Sequence, residues 1–116
     1  MRVGALELCS SDDIAANQQA ISYGICQAQS AGVELLVLPE NCLVFGPDAV
    51  AQAALAHASW LAWLAAQARA AKIWLLAGTV PLPYRPDGTP VPNGRVRSAS
   101  LLFSASGECV GRYDKR

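Results

Sequence analysis

Charge is scarce in this chain: 16% of its 116 residues are Asp, Glu, Lys or Arg, where a soluble domain ordinarily carries about a quarter. A domain this small has proportionally more surface to cover, so the shortage implies that part of the surface is meant to be buried by something else. Nine basic and nine acidic side chains cancel to zero net charge, which excludes the basic footprint of a protein that binds nucleic acid or anionic membrane. Histidine occurs once, and the four cysteines (Cys9, Cys26, Cys42 and Cys109) form no C-x-x-C pair. No metal site is therefore expected. No uncharged apolar run approaches the roughly 18 residues of a membrane helix, because Arg69 and Lys72 break the longest tract. The opening MRVGALELCSSDD meets two aspartates before a signal-peptide h-region or cleavage site can form. The expected compartment is the cytoplasm, with reduced thiols. No GxGxxG or P-loop pattern is present to cradle a nucleotide phosphate.

Apolar residues fill the space that charge leaves, at 53% of the chain and a mean hydropathy of +0.25. That is enough burial to exclude disorder, in a length that fits one domain or part of a larger one. VGALEL (3–8) reads as a buried strand. Ser10, Ser11 or Asp12 offers a helix N-cap, Ile14, Ile21, Ile25 and Ala28 recur at helical spacing, and Gly32 suits the C-terminal cap. VELLVL (33–38) is a second strand, stopped by Pro39. Ser59 is a candidate cap for a helix through WLAWLAAQARAA, with Leu61, Leu64, Ala65 and Ala68 on one face, and IWLLAGTV (73–80) is a third strand. Five of the seven prolines fall in 81–92, which predicts a surface loop. Residues 98–104 and 108–113 then form two strands, joined by a tight hairpin at Ser106-Gly107. The order is β-α-β-α-β, proline-rich loop, β-β: an α/β sheet with helices against it and inner strands apolar on both faces.

Glu40 follows the strand at 33–38 directly, in LLVLPEN, and open α/β sheets place ligand sites at the carboxyl ends of their strands. A carboxylate delivered there into a partly dry cleft is suited to general-base work; the plainer reading is a solvated loop acid or a cap. Lys115 lies just past the strand at 108–113 and is one of two lysines, with Lys72. A lysine in that place can meet an anionic transition state, or be an ordinary solvated charge. Cys42 lies two residues from Glu40, and a cysteine beside a base is the pattern of an activated nucleophile, but the two side chains need not converge. The other cysteines read as core, His57 as a helix-start or surface residue, and Trp60, Trp63 and Trp74 as packing.

In order along the chain, the strand VGALEL, the helix bearing Asp13, Asn17 and Ala20, AGVELLVLPEN, the helix leading to IWLLAGTVP, and SASLLFSASGECVGRYDK together resemble the N-terminal half of the nitrilase superfamily of carbon–nitrogen hydrolases. The likeness runs over essentially the whole chain and is nearest to the branch of small amidases that includes ω-amidase and deaminated-glutathione amidase. The resemblance implies the N-terminal half of an α-β-β-α sandwich. It also implies a Glu-Lys-Cys catalytic set in which Glu40 matches the base and Lys115 the oxyanion stabiliser. The implied reaction is thiolate attack on a small amide or nitrile, followed by hydrolysis of a thioester, with no metal or organic cofactor.

None of the four cysteines matches the family's nucleophile, which follows the lysine. Residues 1–116 are thus expected to be a partial domain, truncated before that cysteine, inactive alone and prone to self-association, with substrate bound only once a C-terminal half completes it. Two other classes compete with this reading: a non-catalytic interaction module that pairs with another chain, and a flavodoxin-like binding domain, against which the missing phosphate loop counts.

Overall fold

In the computed structural model, which describes residues 1–115, the elements run β1 (Val3–Ala5), α1 (Ile14–Ser30), β2 (Leu35–Val37), α2 (Pro47–Leu55), α3 (His57–Ala71), β3 (Trp74–Leu82), β4 (Arg97–Phe103) and β5 (Cys109–Asp114). The last position of the expected 1–116 domain, Arg116, lies outside the described residues. All strands join one five-stranded sheet in the order β1-β2-β3-β4-β5. β1, β2 and β3 pair in parallel, and β4 is antiparallel to both β3 and β5. Two reversals of direction therefore leave β5 running the same way as β2, so the carboxyl ends of both strands lie at one end of the sheet.

The parallel pairs need crossover connections, and the right-handed preference for such crossovers places both on the same face. α1 packs on α3, which lies on β3 and β4. Between them sits the core: Ile21 and Ile25 from α1, Trp60, Leu64 and Ala68 from α3, and Leu36, Leu75, Ala77, Leu101 and Phe103 from the strands. Strand side chains alternate between faces. Leu35, Val37, Leu76 and Leu102 are accordingly only half-buried, and Val3 and Trp74 are exposed. The sheet is apolar on both faces, as expected, with its helices on one of them. Among the described residues no single helix is long and apolar enough to cross a membrane.

Several local expectations are corrected. The first strand is Val3–Ala5 rather than 3–8, although the Leu6 N–H still donates to the Val37 carbonyl at 2.9 Å. The α1 cap is Asp13, whose Oδ1 accepts from the Ala16 N–H at 3.2 Å, and not Ser10, Ser11 or Asp12. Ser11 is engaged by Asn17, as described below. Gly32 does end α1, at φ 74, and lets the Val33 N–H reach the Ala28 carbonyl at 3.0 Å. The helix α2 was not anticipated; its signal is Pro47 in the first turn followed by an alanine-rich run. α3 then starts at His57, with Ser59 inside its first turn rather than capping it. Pro81 and Leu82 belong to β3, paired with Ser98 and Arg97, not to the loop. Burial of Val80 and Leu82, each 1% exposed, outweighs the one N–H donor that Pro81 withdraws near the strand end. Residues 83–92 do form a loop, closed by a bridge between Tyr84 and Pro90. Within it, the Thr89 hydroxyl and then its N–H donate to Asp87, holding that carboxyl below its ordinary range. The hairpin falls where expected, with the Gly107 N–H donating to the Ser104 carbonyl at 2.9 Å.

The cysteines divide differently from expectation. Cys9, Cys26 and Cys109 are exposed, and only Cys42 is core. Cys26 follows the inward-facing Ile25 on α1, which rotates it to solvent, while Cys109 opens the edge strand β5 and Cys9 lies in the loop after β1.

Candidate active site

Lys115 Nζ contacts Glu40 Oε1 in an ion pair between groups 75 residues apart in sequence. Their strands are not neighbours, since β3 and β4 lie between β2 and β5. The gap is closed from both sides. After β2, the Leu38 N–H continues the ladder to the Leu76 carbonyl at 2.8 Å, and the chain then bends across β3. It passes so close to Gly78 that a Cβ there would collide with the carbonyl oxygens of Leu38 and Pro39. Glycine inside a strand commonly marks such an approach. Asn41 takes a left-handed φ of 54, which asparagine tolerates, and its N–H donates to the Thr79 hydroxyl at 2.7 Å. These contacts set Glu40 on the rim above β3.

From the other side, the register of β3 against β4 shifts between Ala77 and Val80, and the Ser100 hydroxyl donates to the Gly78 carbonyl. The Lys115 N–H donates to the Ser98 carbonyl at 2.8 Å, extending the β5 ladder by one residue. The long lysine side chain spans the remaining distance.

The pair stands in water. The Lys115 and Glu40 side chains are 57% and 54% exposed, so these residues do not form the partly dry cleft expected around Glu40. An ion pair this exposed contributes no more than about 1 kcal/mol; its significance is the common space that an acid/base group and a cation face. Among the described residues, no three His, Cys, Asp or Glu side chains converge to hold a metal ion.

Cys42, although two residues from Glu40, faces away from that space. It is fully buried, and its Sγ lies 3.8 Å from the Thr79 carbonyl. Burial pushes its thiol up to about 11, so the thiolate needed for nucleophilic attack is not formed near neutrality. His57 begins α3, with Nδ1 3.0 Å from the Ala54 carbonyl and its ring edge-on to Tyr84. Trp60 is core and donates its Nε1–H to the Ala53 carbonyl at 2.8 Å, whereas Trp74 lies on the open sheet face.

Three residues that the sequence reading did not assign to the site support it. Gly78 admits the Leu38–Pro39 segment, and its signal was an isolated glycine within a strand pattern. Thr79 anchors Asn41. Asn17 is buried on α1 and ties two loops together: its Nδ2 donates to the Ser11 and Leu43 carbonyls, both at 2.8 Å, and its Oδ1 accepts from the Ser11 N–H at 3.0 Å. Beyond its place in the family resemblance, its sequence sign was a polar residue at helical spacing with Ile14, Ile21 and Ile25.

Residues 2–116 match the family model described as carbon-nitrogen hydrolase. The chain is 32% identical over 121 residues to deaminated glutathione amidase of Yersinia enterocolitica, covering 97% of this chain and 38% of that protein. An amidase from Nesterenkonia sp. superposes with a TM-score of 0.79 at 22% identity, over 99% of this chain and 42% of its own. The NitFhit protein of C. elegans does so with a TM-score of 0.79 at 22% identity, over 99% of this chain and 29% of its own. This chain thus spans less than half the length of each. The five-stranded sheet and its three helices have the fold of the nitrilase-type amidases, and the chain belongs to the carbon-nitrogen hydrolase family.

Proposed function

We propose that residues 1–116 supply the general base, Glu40, and the oxyanion stabiliser, Lys115, of an amidase that hydrolyses small amides through a cysteine thioester. The nucleophilic cysteine then comes from polypeptide outside these 116 residues. The observation that carries this reading is the Glu40–Lys115 contact at the carboxyl end of the sheet, together with the burial of Cys42. The likeness to deaminated glutathione amidase favours a small amide as substrate. The Nesterenkonia amidase has an active-site cysteine, which fits a nucleophile of that type.

In the proposed sequence the Glu40 carboxylate takes the thiol proton, and the sulfur attacks the amide carbon. The carbonyl electron pair moves to oxygen, where the Lys115 ammonium stabilises the negative charge. Collapse breaks the carbon–nitrogen bond, and Glu40 returns its proton to the departing ammonia. Water, deprotonated by Glu40, then attacks the thioester and releases the acid and the free thiol.

The test is complementation. The 116-residue chain alone is expected to give background rates on ω-amides. Supplying the remaining portion of the Yersinia amidase, in trans or as a fusion, is expected to restore turnover that Glu40→Gln and Lys115→Ala each reduce by at least about 100-fold. Turnover by the chain alone that Cys42→Ala abolishes would overturn the reading, as would restored activity indifferent to Glu40→Gln.

A further inference from the structure

We infer that Asp114 is a positioning residue for Lys115, holding the end of β5 so that the lysine meets Glu40; this rests on the role proposed above for Lys115. β5 is an edge strand with one ladder partner, β4, and the ends of such strands open readily. Lys115 lies one residue beyond it, held in the backbone, among the described residues, by a single hydrogen bond to the Ser98 carbonyl. The side chain of the preceding residue supplies the restraint that this bond lacks. Asp114 is 9% exposed and accepts from Arg112 through Oδ1 (2.6 Å to Nε) and Oδ2 (3.0 Å to Nη2), with Arg97 Nη1 also 3.4 Å from Oδ2. Arg97 opens β4. Arg112 in turn donates from Nη2 to the Tyr84 carbonyl at 2.7 Å and places its guanidinium 5.2 Å from the centre of the Tyr84 ring. The end of β5 is thereby fastened both to the start of β4 and to the proline-rich loop.

Register decides what this fastening does. Asp114 pairs with Ala99, whose side chain is fully buried beneath the helices. Adjacent residues of an extended chain point to opposite faces, so fixing Asp114 on the helix side directs Lys115 to the other.

The two lysines of the chain provide the experiment, because Lys72 is an internal standard at the end of α3 with no ion pair among the described residues. Limited amine acetylation of the intact chain in dilute solution, read by peptide mass spectrometry, measures the Lys115:Lys72 labelling ratio. Glu40→Gln is expected to raise that ratio about two- to fivefold by freeing Nζ. Asp114→Asn is expected to raise it as far, and Asp114→Glu to return it most of the way to the starting value. An aspartate that merely stabilised the fold would lower the melting temperature without moving the ratio. A ratio unchanged in Asp114→Asn, while Glu40→Gln raises it, would overturn the inference and leave the Glu40–Lys115 pair standing. A ratio unchanged in Glu40→Gln would overturn both. If Asp114→Asn loses its circular dichroism spectrum, Arg97→Gln at the half-exposed end of the network decides: a rise supports the role and no rise refutes it. The labelling needs no turnover, so a failure of the amidase reading does not obscure the result.

Discussion

Gly78 lies directly beneath the carbonyl of Pro39, with no space between them for a Cβ atom. That approach lets the chain leave β2 and cross β3 towards the end of β5, which brings Glu40 within reach of Lys115. The obstructing atoms are backbone, so a larger residue cannot be accommodated by a change of rotamer.

Gly78→Ala is therefore expected to destabilise the chain by about 2 kcal/mol or more. It should also raise the Lys115:Lys72 labelling ratio, because the displaced segment carries Glu40. Denaturant unfolding and the acetylation assay check the two effects. A variant of unchanged stability and labelling would show that the Leu38–Pro39 crossing does not place Glu40.

Cys42 gives a prediction with a definite sign in pH. Its thiol is raised from 9.0 to about 11 in the folded chain. Below pH 9 folded and unfolded forms both hold this proton. Between about 9 and about 11 the unfolded chain releases it while the native chain keeps it, so stability falls as pH rises, by about 1.4 kcal/mol per pH unit from this group alone. Cys42→Ala should remove that component of the slope, as measured by urea unfolding across the range. At pH 8 a maleimide should label Cys9, Cys26 and Cys109 and spare Cys42 until the chain unfolds; rapid labelling of Cys42 in the native chain would contradict its burial.

Asn17 joins the loop after β1 to the segment after β2 through the Ser11 and Leu43 carbonyls. Asn17→Ala takes this donor from the buried Leu43 carbonyl and from the Ser11 carbonyl, which keeps the Phe45 N–H, and is expected to cost about 1–3 kcal/mol. For a chain of this size, thermal unfolding should shift down by roughly 4–8 °C for each kcal/mol lost. A shift smaller than about 2 °C would mean that water replaces the amide without penalty.

The sheet face opposite the helices exposes Val3 (56%), Trp74 (37%) and Tyr113 (65%) beside half-buried Leu35, Val37, Leu76 and Leu102. A patch of this kind on an isolated chain is expected to bind a hydrophobic dye and to drive association as concentration rises. The low charge of the chain does little to oppose it. Light scattering across a dilution series, with dye fluorescence in parallel, measures both. A monomer at every concentration, without dye binding, would show that the face is self-sufficient in water.

The strands and long helices were legible because they rest on local, repeated signals. The continuous apolar runs of β2 and β3, the helical spacing of Ile21, Ile25 and Ala28, and Gly32 beyond the end of α1 each act within a few residues. α2 was hidden because an alanine-rich segment has little periodic contrast, and a serine further on offered a more familiar cap than Gly46. The three exposed cysteines were misjudged because residue type sets only an average burial, while the side of the helix or strand sets the actual one.

Sequence alone determined the class of sheet, the placing of Glu40 and Lys115 just past strands, and the family resemblance carried by LVLPE and GRYDK. Periodicity and turn chemistry act over a few residues and can be read in order. Tertiary structure alone decided that two strands separate β2 from β5, that Gly78 opens the way across them, and that Cys42 turns into the core. It also decided that Asp114 binds two arginines on the face opposite the lysine beside it. Apart from the neighbouring Arg112, these depend on which atoms meet across 17 to 75 residues of sequence, a matter of strand order, direction and register rather than of any local pattern.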